Sequence, residues 1–226
     1  LLASSAASDV YKRQVVARIE GTDKKDEILT ITAHYDSVPE GPGAYDNMAG
    51  AAIIMELCRY FQQYRLRRTM EFVWFGAEEK GLLGSRDYIR VHESELGAHR
   101  FNMNVDLAGQ LIGGNVLGVT GEASVCDKLL EIADGAGIGA SVKNQIWGSD
   151  SNSFAWKGIP AMTLNRDGFG MHTRYDTIDL LSAWSLERSA ILLGCIADAL
   201  GNAEVFPFER KMPEKFIGEL DEYMCR

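Results

Sequence analysis

Residues 30–81 read TITAHYDSVPEGPGAYDNMAGAAIIMELCRYFQQYRLRRTMEFVWFGAEEKG. Their pattern predicts strand, loop, helix and strand in turn. The β-branched, apolar run Ile28–Ala33 suits a central strand, buried on both faces. The two prolines and two glycines between Asp36 and Ala44 make a shaped loop. A helix is predicted from Asp46–Asn47 to about Tyr64, because Ala51, Ile54, Met55, Cys58 and Phe61 recur at helical spacing. Gly50, Ala51 and Ala52 are small enough to let that helix lie close to a strand. The basic RLRR at Arg65–Arg68 reads as its solvated end, and Thr69–Gly76 as a second buried strand. Polar groups stand where these elements end: His34 and Asp36 after the first strand, Asp46 at the helix start, Glu78 and Glu79 after the second strand. A parallel sheet gathers its chemistry at such ends.

Outward from this stretch, strands and helices keep alternating. Val15–Glu20 is a strand joined to Ile28–Ala33 by a polar turn. Leu82–His92 is a short helix and Arg100–Leu107 a strand ending in an acid. Val116–Thr120 is a strand, and a helix runs from about Glu122 to Ala136. SDSNSFAWKG gives one or two helical turns, and Ile159–Leu164 is a strand. Ser182–Leu200 is a long helix with Ser182 as its N-cap, and Pro213–Met224 a last helix. The expected fold class is α/β, a mostly parallel mixed sheet sandwiched by helices. Residues 14–226 are expected to form one domain. Residues 1–13, LLASSAASDVYKR, lack strand or helix periodicity and any signal-peptide pattern, and SSAASDVYKRQ resembles translated adapter sequence. They are expected to be a non-native tail, with the natural N-terminus missing.

With 226 residues and 46% apolar content the chain can bury a large core. Its net charge of −9 gives no electrostatic footprint for nucleic acid, and no apolar run is long enough for a membrane span. Cys58, Cys126, Cys195 and Cys225 form no C-x-x-C pair and read as buried free thiols, which leans towards a reducing, cytoplasmic location. Oligomeric state leaves no mark in the sequence.

The candidate chemistry is made of ordinary parts. His34 and Asp36 share a side of an extended segment, so a carboxylate could fix the imidazole; a hydrogen-bonded loop histidine reads equally well. Asp46 could cap the helix. Adjacent Glu78 and Glu79 would repel unless a cation or a shared proton intervenes, though a surface turn also tolerates them. Asp106 repeats the acid at a strand end, and His172 supplies an imidazole from the loop Asn165–Asp179. His92 and His99, in a polar segment, read as surface residues. Trp147, Phe154, Trp156 and Phe169 either line a pocket or belong to the core, with core the better reading for Phe154 and Trp156.

In order, AHYDS, GAYDNMAG, FGAEEKGLLGS, NVDLAG, SDSNSF, GIPA and HTRYDT resemble the co-catalytic zinc peptidases of family M28, from Gln14 to about Ala203. The resemblance implies two zinc ions. Asp46 would bridge them, His34 and Asp106 completing one site and Glu79 and His172 the other. Glu78 would be the general base and Asp36 would orient His34. A helix and a strand would precede Gln14. The implied activity is removal of an N-terminal amino acid from a peptide substrate.

Two positions depart from the pattern: Ser151 stands where many relatives have histidine, and Met171 where a tyrosine often precedes His-Thr. That leaves Tyr35, Ser149, Asp150 and Tyr175 as candidate substrate contacts, and Asp176 as either a partner of His172 or a helix cap. A carboxypeptidase, with Arg166 or Arg174 gripping the substrate carboxylate, or a glutaminyl-cyclase-like enzyme would share the fold. The cyclase would need one zinc. A non-catalytic binding domain would lack ligands, and a dimetal peptidase with a lid domain would need a large insert.

Overall fold

The computed structural model describes residues 14–225, so the expected tail of residues 1–13 lies outside the described residues. Seven strands form one sheet: β1 (Val15–Ile19), β2 (Lys24–His34), β3 (Arg68–Phe75), β4 (His99–Val105), β5 (Asn115–Thr120), β6 (Ala140–Asn144) and β7 (Ala161–Arg166). Their order is β1-β3-β2-β4-β7-β5-β6. The central pairs β3–β2, β2–β4 and β4–β7 are parallel, while β1 and β5 run antiparallel to β3 and β7. The expected mostly parallel α/β sandwich is the fold observed. The first two strands, joined by the polar turn, are not neighbours in the sheet, because β3 inserts between them and β1 lies at an edge. Strand β2 also begins inside the expected turn, at Lys24. Strand β6, half-exposed along its length, has too weak a pattern to be expected.

One face of the sheet carries α1 (Ala49–Gln63), α3 (Ala123–Gly135) and α5 (Ala183–Asn202). Alternate strand residues Leu29, Ile31, Phe72, Met103, Leu117 and Leu164 pack there with Ile54, Leu57, Leu192 and Ile196. Gly50 lets α1 approach β4, since a Cβ at Gly50 would stand 2.9 Å from the Val105 carbonyl oxygen. The other face carries α2 (Leu83–Val91), α4 (Ser151–Trp156) and α6 (Glu214–Met224) around Phe75, Tyr88, Phe154, Phe216 and Leu220. Trp156, read as core, is instead 39% exposed, its indole N–H donating to Asp221 at 2.8 Å.

Period-two alternation puts Thr30, Thr32, Asn102, Asn104 and Thr163 on this second face, all fully buried. Most of their polar atoms find partners within the layer or beside it, while Asn102 Oδ1 has none among the described residues. Thr32 donates to Asn104 Oδ1 (2.7 Å), Asn102 donates to Thr32 (3.2 Å), and Ser151 and Thr163 share a bond of 2.7 Å.

Two surface readings are corrected by burial. Arg68, in the expected solvated run, is 1% exposed; it meets Glu27 at 2.6 Å and donates to the carbonyls of Leu200 and Ala203. His99 is also 1% exposed, bonded through Nδ1 to Thr30 at 2.7 Å. Parallel pairing supplies the partners that make each burial tolerable: Glu27 on β2 for Arg68, Thr30 on β2 for His99. Ser182 precedes α5 without a side-chain capping bond. Cys58 is buried and Cys225 exposed, with Cys126 and Cys195 between, and all four thiols are free. Among the described residues no helix is long and apolar enough to cross a membrane.

Candidate metal centre

The carboxyl ends of β2, β3, β4 and β7 point the same way, and the chain leaves each in a polar residue or loop. His34 is the last residue of β2, paired with Phe75 at the end of β3. Glu78 and Glu79 begin the turn after β3, and Asp106 follows β4. Asp46 lies in a tight turn before α1, with non-helical φ and ψ and no capping bond, so the helix-cap reading of Asp46 is overturned. The capping bond comes from Asn47, whose Oδ1 accepts the Gly50 N–H at 3.2 Å.

Two clusters of donor atoms form around Asp46: His34, Asp46 and Asp106, then Asp46, Glu79 and His172. One carboxylate oxygen serves each. Asp46 Oδ1 is 3.2 Å from His34 Nε2, and Asp46 Oδ2 is 3.1 Å from His172 Nε2. Asp106 Oδ1 lies 3.4 Å from His34 Nε2, and Glu79 Oε2 lies 3.2 Å from His172 Nε2. Zinc bonds of about 2.0–2.2 Å at tetrahedral angles would separate donor atoms by about 3.3 Å. The spacing in both clusters fits that ion. So does the charge: Glu79 Oε1 and both oxygens of Asp150 are buried with no hydrogen-bond partner among the described residues. Unpartnered buried carboxylates need protons or cations.

The ionisation of the cluster follows from this crowding. Burial, followed by the charge of Asp150, pushes the Glu78 carboxyl up to about 9. Burial and Asp46 raise Glu79, and burial raises Asp150 to about 7. Burial alone would lower His34, but Asp106, Asp36 and Asp46 outweigh it and hold the imidazole well above its usual value. Two dications would relieve the repulsion among these carboxylates.

Surrounding bonds hold the donors in place. His34 Nδ1 donates to the main-chain oxygen of Asp36 at 3.1 Å, leaving Nε2 towards Asp46 and Asp106. The Asp36 carboxylate stands 3.6 Å from His34 Nδ1 and also accepts the N–H groups of Glu78 (3.1 Å) and Glu79 (3.2 Å). It therefore positions the Glu78–Glu79 turn. Ser149 donates to Asp106 Oδ2 at 2.6 Å and accepts from Asn104 at 2.7 Å, joining the buried polar layer to the site. Among the described residues Asp176 forms no ion pair with His172; its carboxylate accepts the main-chain N–H groups of Tyr45 and Asp46, in the turn that leads into α1. Positive φ occurs at Ala77 before the glutamates, at Leu107 after Asp106 and at His172 itself. Such conformations cost roughly 1–3 kcal/mol each, a pattern found where function requires a set geometry.

The expected substrate contacts separate. Ser149 and Asp150 are fully buried, behind Asp106 and Glu78, while Tyr175 is 61% exposed and Tyr35 half-buried. Arg166 is buried and donates to the carbonyls of Gln110 and Leu111 and to Asn115 Oδ1. Arg174 donates to the Tyr175 hydroxyl and lies over its ring. Gln110, not singled out by its sequence, grips Phe169 from both sides with its carboxamide (Nε2 to the carbonyl at 2.6 Å, Oε1 from the N–H at 3.1 Å) and so steadies the loop carrying His172. A buried glutamine after an acid-terminated strand is its only local signal.

Comparison with known proteins agrees with this architecture. The model for peptidase family M28 matches residues 14–194. Aminopeptidase YwaD of Bacillus subtilis is 30% identical over 161 residues, covering 71% of this chain and 32% of that protein. Carboxypeptidase Q of Rattus norvegicus is 26% identical over 203 residues, covering 87% and 43%. A solved zinc aminopeptidase from Bacillus subtilis superposes with a TM-score of 0.76 at 26% identity, over 88% of this chain and 53% of that one. The chain spans less than half the length of these two curated relatives.

Proposed function

Because the chain belongs to peptidase family M28, we propose that it is a di-zinc exopeptidase that hydrolyses the N-terminal peptide bond of peptides. The observation that carries this reading is Asp46, whose two oxygens each face a separate imidazole at 3.2 and 3.1 Å. His34, Asp46 and Asp106 would hold one zinc, and Asp46, Glu79 and His172 the other. When bound, the ions supply Lewis acidity, polarising the scissile carbonyl and acidifying the attacking water. Glu78 adjoins a ligand without belonging to either donor cluster. Asp36 holds its main-chain N–H, and the Glu78 carboxylate takes one proton from the attacking water and passes it to the leaving amine as the C–N bond breaks. The carboxylates around the site favour a substrate's free ammonium over a free carboxylate. Arg166 and Arg174, the expected carboxylate grips, are already engaged.

Hydrolysis of a free peptide and its N-acetylated counterpart tests the reading. The free peptide is expected to lose its first residue, with activity lost to chelator and restored by zinc, and the acetylated peptide to resist. Release of the C-terminal residue from both would instead assign the chain to the carboxypeptidase activity named for its rat relative.

A further inference from the structure

We propose that Tyr223 is a catalytic residue of this site, its hydroxyl donating a hydrogen bond to the oxygen of the scissile carbonyl as negative charge develops there. The inference rests on the peptidase reading above. Tyr223 lies on α6, beyond the residues matched by the family model. It shares no motif with the metal cluster, and only the packing of α6 brings it there.

That packing is well defined. Phe216, Leu220 and Met224 are buried, the first two in the cluster that contains Phe154 and Ala155 of α4. Trp156 holds Asp221, and the Arg86 guanidinium donates to the Met224 carbonyl at 2.7 Å, fixing the last turn on either side of Tyr223. The phenol reaches across to Gly148, where a Cβ would stand 3.3 Å from its hydroxyl. Gly148 directly precedes Ser149, which is bonded to Asp106. The half-buried hydroxyl therefore lies beside the loop that brings Ser149 to Asp106, within reach of the charges of Glu78, Asp150 and Asp106.

The Tyr223 hydroxyl would add a hydrogen-bond donor to the polarisation that bound ions supply. The tetrahedral species of peptide hydrolysis carries its charge on the former carbonyl oxygen, and a preorganised O–H stabilises it without reorganisation. Met171, directly before His172, has no O–H or N–H in its side chain. Burial and the charge of Glu78, with Asp150 and Asp106 adding to it against Arg86, hold the Tyr223 phenol above its ordinary value, so it remains a donor at neutral pH.

The test compares the full chain with Tyr223→Phe on a free aminoacyl anilide and on an aminophosphonate resembling the tetrahedral species. The variant is expected to keep zinc content, melting temperature and KM. Its kcat should fall about 100-fold, as for loss of one oxyanion donor, and its phosphonate affinity by a similar factor. An active wild type matched within about two-fold by the variant overturns the role of Tyr223 alone. Equal losses of zinc or melting temperature assign the residue to packing and overturn it too. A wild type that binds zinc yet cleaves neither free nor blocked peptides overturns the peptidase reading, and this role with it.

Discussion

The carboxylate of Asp176 accepts the main-chain N–H of Asp46, 130 residues away in the chain, at 3.1 Å. Its other oxygen accepts the neighbouring N–H of Tyr45 at 2.6 Å. One buried carboxylate thus fixes the segment from which Asp46 addresses both imidazoles. Asp176→Asn would leave one of these N–H groups facing an amide NH2. Zinc affinity, measured by chelator competition, is expected to fall by about 10- to 100-fold, the usual cost of removing a group that orients a ligand. An unchanged affinity would show that Asp46 is held by other contacts.

His99 makes stability depend on pH. Burial, helped by Arg18 and Arg210, lowers its folded pKa from 6.5 to about 4. Between those values the unfolded chain binds a proton that the folded chain does not. Stability is therefore fully present above pH 6.5 and falls as pH drops towards 4, by up to about 1.4 kcal/mol per pH unit from this group. Urea titrations in chelator at pH 6.5, 5.5 and 4.5 check the effect. His99→Gln, which can still bond Thr30, is expected to show a shallower decline than the wild type. Parallel declines would contradict the assignment.

The strand ends were legible because hydrophobic runs stop abruptly at His34, at Glu78–Glu79 and at Asp106. Local sequence could not show how far apart bonding partners lie. Asp176 looked like a cap because its true partners are main-chain N–H groups across the fold. Arg68 and His99 looked exposed because charge usually is, whereas sheet pairing places Glu27 and Thr30 beside them. Asn102 and Asn104 alternate with Phe101, Met103 and Val105, a period-two signal that the buried polar layer explains only once α4 covers it. Tyr223 carried no signal, since α6 reaches the site through tertiary packing.

The proposed site holds two zinc ions and is served by a glutamate base. Its most direct measurement is zinc content and turnover of the full chain beside Glu78→Gln. Both proteins are expected to hold two zinc ions per chain, with kcat of the variant lower by on the order of 100- to 10,000-fold. A wild type holding one zinc or none, or a variant that keeps full turnover, would contradict the account.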